Sequence, residues 1–306
     1  MRAKILFIAA LILAGCASAP NSANSPADPP RLKAALEAES DGAKRYSRGD
    51  YAVAVRRFDE SARIYASIDD APGTARNRLH LARAQLALGH AETALMVLAL
   101  AESSTDGGST LEIRLLQAQA NLALGRLTAA QANLATAATA CPANCPQLAS
   151  LHLLQARAAL ADKHAQDALV HAEAALKLLQ DRDEAAETGN AWRLIAGARL
   201  AGSDAIGALP AARAALEIDR RLALPEKIAR DWLLIGDIQR KIGAGEATAL
   251  QGGRAKDALR AVADGDAAEA YRRALGVANA AGLSDIAGMA TQALAENEIS
   301  VKANTR

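Results

Sequence analysis

The chain of 306 residues is 51% hydrophobic but only 3% aromatic, and its formal net charge is +1. This near-neutral balance gives no overall attraction to nucleic acid, so no nucleic-acid partner is expected. Alanine and leucine supply most of the apolar residues and are strong helix formers, whereas the residues typical of strands are scarce. The composition therefore favours helices.

The first fifteen residues have the pattern of a secretory signal peptide. Two basic residues precede an apolar run over residues 5–14, which is about half of the ~20 residues that a membrane-spanning helix needs. The run ends in Leu-Ala-Gly-Cys16, which resembles the bacterial lipobox, where cleavage leaves a lipid-modified cysteine as the first residue. The resemblance implies a signal peptide over 1–15 and lipidation of Cys16. A plain secretory signal with a chance cysteine is the alternative.

The segment over residues 16–31 predicts a tether behind the lipid anchor. Residues 17–30 contain only Ala, Ser, Asn, Pro and one Asp, a composition that cannot bury a core. Each methylene of an acyl chain contributes ~0.8 kcal/mol when it enters a membrane, so three chains would hold the protein there. By the sorting rule familiar from enteric bacteria, Ala17 after the cysteine favours the outer membrane. We therefore expect a lipid-anchored envelope protein that faces the periplasm.

A helical pattern repeats from residue 32 onward. Its central alanines stand at positions 54, 94, 130, 168 and 208, so the period is between 36 and 40 residues. Periods of this size predict stacked helical hairpins. The phrase Gly49-Asp50-Tyr51 followed by Ala54 and Phe58 resembles the tetratricopeptide repeat. Most aromatic positions of that repeat hold Ala or Leu here, and a HEAT-like array is the alternative.

The tetratricopeptide resemblance implies an all-α fold, an α-α superhelix of about six hairpins over residues 32–299. A C-terminal capping helix is expected from Ser284 to about Ile299, because Ser284 is a suitable N-cap. Residues 300–306 are expected to form a polar tail. The sixth unit contains an irregular insertion at about 243–265 with two adjacent glycines, which predicts a protruding loop or an extra helix.

Cys141 and Cys145 are the only cysteines besides the lipobox cysteine. Nearby cysteines in an exported chain normally pair, so we predict a disulfide. No second ligand pair completes a zinc site, and the spacing differs from that of the Cys-x-x-Cys redox motif. A redox-active pair remains the alternative.

Motifs with catalytic spacing are absent from the sequence. It has no His-Glu-x-x-His, no Gly-x-Ser-x-Gly and no phosphate-binding glycine loop, so no enzyme and no cofactor are expected. His164 and His171 lie seven residues apart without a carboxylate or cysteine that would complete a ligand set. They are interpreted as an incidental surface pair, and no metal site is predicted.

The tetratricopeptide resemblance also implies that the first helix of each hairpin lines a concave groove. Transferred to this chain, it predicts a leucine strip flanked mainly by arginine, which suits a peptide segment that carries an acid or a C-terminal carboxylate. The alternative is that these leucines pack in the core and the arginines are solvated. The predicted partner-binding residues are Arg76, His80, Arg83, Gln119, Leu154, Arg157, Arg193, Leu194 and Asp237.

These expectations favour a periplasmic lipoprotein that acts as an interaction scaffold. Its partner would be an envelope protein or peptide segment in the assembly of a pilus, an outer-membrane protein or a cell-wall complex. One alternative is a binder of peptide or cell-wall fragments in the groove. Another is a secreted repeat protein without an anchor.

Overall fold

The computed structural model describes residues 29–103, 110–249 and 254–304, and within these ranges the chain forms thirteen α-helices and no strand. The predictions for the signal peptide and Cys16 lie outside the described residues. The helices are α1 Pro30–Ser47, α2 Tyr51–Ser67, α3 Ala71–Ala87, α4 Ala91–Glu102, α5 Thr110–Ala123, α6 Leu127–Thr139, α7 Leu148–Ala161, α8 Ala165–Leu179, α9 Ala185–Ala201, α10 Ala205–Arg221, α11 Pro225–Ala249, α12 Arg254–Ala280 and α13 Ser284–Asn304.

Consecutive helices pack as six hairpins, α1–α2 to α11–α12, and α13 packs on the last of them. The five central alanines that defined the repeat are all 0% exposed, at positions 54, 94, 130, 168 and 208. A methyl group is small enough to let two helices approach closely, and residues four and three apart form one stripe. The alanine stripes are therefore the seams between helices. The predicted all-α solenoid of about six hairpins with a cap is confirmed.

The first helix of a hairpin ends in a turn that needs a left-handed backbone. Gly49, Gly89 and Gly125 have φ values of 81°, 80° and 68°, and Lys163 and Ser203 occupy the equivalent turn in the next two hairpins at 61° and 67°. Glycine has no Cβ and adopts this region at little cost. The same turn is thus kept in five hairpins even where glycine is absent.

The described parts of the irregular segment at 243–265 are helical, and its residues 250–253, where a loop was predicted, lie outside the described residues. The helix α11 continues to Ala249 and α12 begins at Arg254, so the described inserted residues lengthen both helices of the sixth hairpin. Gly243 lies against the Cβ atom of Ala263 with no room for a side chain, and this contact holds the extensions together. The two adjacent glycines at 252–253 lie outside the described residues.

The capping helix α13 ends at Asn304, later than the predicted end near Ile299, so the start of the predicted polar tail is helical. Its Ile286 and Ala290 are buried with Tyr271 of α12. The Asn297 amide donates a hydrogen bond to the Asp264 carbonyl oxygen at 3.0 Å. None of the helices in the described ranges combines the length and apolarity needed to cross a bilayer.

Candidate functional site

A cavity of about 370 Å³ is lined by the first helices of five successive hairpins. Each of these helices contributes at least one lining side chain. Examples are Tyr46 from α1, Arg83 from α3, Gln119 from α5, Leu154 from α7 and Glu187 from α9. Residues far apart in sequence meet there because the array curves around this space. We call this cavity the central groove.

The leucines of the central groove belong largely to the core. Leu115, Leu116 and Leu154 all line the groove, yet they are only 7%, 7% and 8% exposed. Leu154 packs with Leu134 of α6 in the same buried cluster. The predicted leucine strip therefore offers side-chain edges, not an open apolar surface. Leu194 is half-buried between two core clusters and does not line the groove.

Arg83 and His80 have structural partners. The Arg83 guanidinium lies 2.7 Å from a Glu112 carboxylate oxygen, a salt bridge between α3 and α5 at the groove wall. His80 stacks on Phe58 with ring centroids 5.1 Å apart and does not line the groove. Burial, followed by the neighbouring Arg83 charge, lowers the pKa of His80. This histidine is thus a neutral packing residue.

Arg76 is engaged in a polar network among the first three helices. Its guanidinium donates two hydrogen bonds to the Glu39 carboxylate, at 2.7 and 3.0 Å, and lies over the Tyr65 ring. Asn77 also donates to Glu39, at 3.1 Å. Hydrogen bonding from Arg76 is the largest influence on the Glu39 carboxyl and outweighs its burial, so that its pKa is about 2. Arg76 does not line the central groove.

Arg193 is the centre of a buried ion cluster that sequence reasoning missed. It pairs with Asp219 of α10 and, at 2.6 Å, with Asp231 of α11, and both aspartates are 0% exposed. One oxygen of each carboxylate has no hydrogen-bond partner. Burial raises the pKa of Asp231 to about 7 against the opposing effect of Arg193, and the adjacent Asp219 raises it further. The Asp231 carboxyl is therefore expected to hold its proton up to near-neutral pH.

Asp237 also stabilises the fold. Its carboxylate accepts a hydrogen bond from the Tyr271 hydroxyl at 2.7 Å, which links α11 to α12. Burial, followed by this hydrogen bond, raises the pKa of the Tyr271 hydroxyl. Asp237 is thus not a free groove carboxylate.

Arg157 does not line the central groove but lies one helical turn from its Leu154, and it is a predicted arginine without a salt bridge in the described ranges. Its side chain is exposed, and within the described ranges no carboxylate lies within salt-bridge distance of it. Although the side chain reaches solvent, neighbouring protein atoms partly desolvate its guanidinium, and this desolvation, followed by repulsion from Arg230 of α11, lowers its pKa. A bound anion would relieve this repulsion.

Glu187 is a groove residue that no sequence pattern indicated. It is half-buried on α9 and lines the central groove together with Tyr46 of α1. Burial raises the pKa of its carboxyl, and Lys227 partly opposes this. The groove therefore contains both hydrogen-bond donors and hydrogen-bond acceptors next to the edges of its leucine side chains.

The connection between α6 and α7 contains a disulfide between Cys141 and Cys145, whose Cα atoms are 5.3 Å apart. Both cysteines are 7% exposed and pack with Leu134 and Leu151. In the described part of the chain, no group of three or more His, Cys, Asp or Glu side chains is placed to hold a metal ion.

In sequence, the chain matches no protein-family model and no curated protein. In structure it is similar to the apo form of RapI, with a TM-score of 0.58 and 14% identity over 88% of this chain and 72% of that chain. A comparison with the TPR2AB domain of yeast Sti1 in complex with pHSP90 gives a TM-score of 0.36 and 15% identity, over 86% and 98% of the two chains. The alanine-seamed hairpins and the likeness to RapI identify the fold as a tetratricopeptide-repeat-like, all-α superhelical solenoid.

Proposed function

We propose that the chain is a non-catalytic scaffold lipoprotein of the bacterial envelope, and that its central groove holds a segment of a protein partner. The observation that carries this proposal is the meeting of five first helices at one cavity. A repeat array that curves around a cavity exposes many side chains to one extended ligand. Assembly of a pilus, an outer-membrane protein or a cell-wall complex is the proposed setting.

The lining of the central groove is better suited to bind a peptide segment than to bind a flat protein surface. Gln119, Gln147 and Ser150 can form hydrogen bonds with a peptide backbone, and the edges of Leu115 and Leu154 can contact aliphatic side chains. Arg157 stands one helical turn beyond Leu154 on α7 and can receive an acidic group of the same segment.

A photo-crosslinking amino acid placed at Gln119 tests the scaffold proposal in living cells. We expect one dominant crosslinked protein, because Gln119 lines the groove. The matched probe at Met96, which is 63% exposed on α4 and outside the groove, should not trap it. Equal trapping from both positions would contradict binding in the groove. Leu154 is too buried to be a good probe.

The proposed anchor has its own experiment. The full chain should incorporate labelled palmitate and fractionate with membranes, and the Cys16→Ser variant should do neither. The wild-type chain in the soluble fraction without an acyl mass would instead support the secreted alternative. The groove and its crosslinks are tested separately from this outcome.

The alternative ligand is a peptide or cell-wall fragment, and the cavity volume is within the ~300–1,000 Å³ usual for small-molecule sites. Muropeptides should then raise the unfolding temperature of the full chain saturably, and Arg157→Ala should abolish the rise. Arg193→Ala is not a suitable probe, because it leaves two buried carboxylates without their cation. No shift with any muropeptide would leave the protein-segment proposal as the better one.

A further inference from the structure

Two histidines face each other across the fourth hairpin. His152 of α7 and His171 of α8 have their Nδ1 atoms 3.2 Å apart and their ring centroids 5.4 Å apart. Each residue lies in the interior of its helix, so the backbone on both sides of the pair is fixed by regular hydrogen bonds. The pair lies on different helices, and its spacing is therefore set by tertiary packing.

The separation of these two nitrogens matches the bite of a single transition-metal ion. Imidazole nitrogen binds zinc at about 2.0–2.1 Å, and two such ligands that subtend roughly 100° at the ion lie ~3.2 Å apart. That angle is intermediate between octahedral and tetrahedral geometry.

Without an ion, the pair uses its hydrogen-bonding groups poorly. A neutral imidazole carries one ring hydrogen, so only one of the two Nδ1 atoms can donate to the other. Gln155 places its side-chain oxygen 3.1 Å from the Nδ1 atom of His152, and this oxygen competes for the same hydrogen. The two Nδ1 atoms and the Gln155 oxygen can all accept hydrogen bonds, and in the neutral pair they meet with at most two hydrogens among them.

The surroundings favour a cation and leave it accessible. His171, Gln155 and Asp167 line an open pocket of about 320 Å³, so the site is reached from the side of His171, while His152 itself does not line this pocket. Asp167 precedes His171 by one turn of α8, so its carboxylate places negative charge beside the imidazole. Solvent water in the pocket can complete the coordination that two imidazoles leave open.

From this geometry we propose that His152 and His171 bind one divalent transition-metal ion of the class Cu²⁺, Ni²⁺ or Zn²⁺ and thereby link α7 to α8. Imidazole suits these ions, whereas Ca²⁺ and Mg²⁺ require sets of oxygen ligands. The site is separate from the central groove and does not depend on the proposed scaffold function. The sequence-based interpretation of His164 and His171 as an incidental surface pair did not include this site, because His152 is on another helix.

Calorimetric titration of the full chain with Ni²⁺ tests the proposal, in detergent and after removal of metals with EDTA. We expect one ion per chain with micromolar affinity. His152→Gln and His171→Gln should each weaken binding at least tenfold, since glutamine keeps hydrogen bonding but removes the imidazole. His90→Gln is the matched control, because His90 is exposed and its ring is hydrogen-bonded to Gln85, away from the His152–His171 pair. It should bind as the wild type does.

Unfolding curves in EDTA establish that each variant is folded. Electron paramagnetic resonance of the wild type with one equivalent of Cu²⁺ gives a second readout that needs no variant. Hyperfine splitting from two imidazole nitrogens is expected. Absence of nitrogen splitting, or binding that both glutamine variants retain, would overturn the proposed site.

Discussion

Arginines that sequence reasoning assigned to one groove have different roles in the structure. Arg157 is exposed and has no salt-bridge partner within the described ranges, whereas Arg193 lies between two fully buried carboxylates. The difference arises from residues on other helices, Asp219 and Asp231. A buried charge is retained only with partners, and removal of its partner is strongly destabilising. The role of a groove arginine is therefore decided by its neighbours in space.

The raised pKa of Asp231 in the Arg193 cluster predicts an unusual pH dependence of stability. The pKa of Asp231 rises from 3.8 to about 7 on folding, so the native state holds a proton that the unfolded chain releases between these values. This contribution to the free energy of unfolding is full below pH 3.8 and is lost as the pH rises through 7.

Asp231→Asn should remove this dependence, because the amide imitates the protonated carboxyl and can donate to Asp219. The unfolding temperature of the variant relative to the wild type should therefore increase from pH 5 to pH 8. We expect a difference on the order of 2 kcal/mol in the free energy of unfolding. Asp183→Asn, an equal charge change in an exposed connection, is the control. A constant difference across this range would show that the pKa of Asp231 is not raised in the folded state.

At the scale of elements, backbone conformation predicts opposite effects for a glycine substitution in a hairpin turn and one inside a helix. Gly89 has a φ of 80°, and no atom lies within 4 Å of the place that a Cβ would occupy there. Gly276 lies in the interior of α12 with equally open space. Gly89→Ala should lower the free energy of unfolding by about 1 kcal/mol, because a Cβ disfavours the left-handed region.

Gly276→Ala should raise the free energy of unfolding by about 0.5–1 kcal/mol, because alanine is the better helix former. Denaturant unfolding of the two variants measures both changes. Since neither methyl group meets a neighbour, the comparison isolates backbone conformation from packing. A loss of stability in both variants would mean that the left-handed backbone at Gly89 is not the cause of the loss in Gly89→Ala.

The hairpins were predictable from sequence because their seams use one residue type at one spacing. Ala54, Ala94 and their equivalents are recognisable without any knowledge of the fold. The ion cluster was less visible, although Asp219 continues the stripe of Ala208, Ala212 and Ala215 where an apolar residue would be expected. The convergence of Tyr46 with Glu187, and of His152 with His171, depends on curvature and helix packing. No local pattern encodes these distances.

At the scale of the whole molecule, the capping helix protects the open end of the stack. Ile286 of α13 is 3% exposed, whereas Met289 on the same helix is 53% exposed. Ile286→Ala should lower the free energy of unfolding by about 2 kcal/mol or more, because it leaves a cavity against α12. Met289→Ala, the control, should change it by less than about 0.5 kcal/mol.

Hydrogen exchange locates the effect of Ile286→Ala along the array. In a stack where each repeat contacts its neighbours, the loss should be greatest in α11 to α13 and small in α1 to α4. Uniform loss of protection from α1 to α13 would instead mean that the array unfolds as one unit.

The meeting of α1 and α9 at one cavity changes what a ligand does to such a stack. Hairpins that are not adjacent in the chain would touch the same bound molecule, since Tyr46 and Glu187 belong to the first and the fifth of them. A ligand that fills the space would therefore couple hairpins that are distant in the chain. The bound array would then unfold in one cooperative step, although its repeats otherwise contact mainly their neighbours.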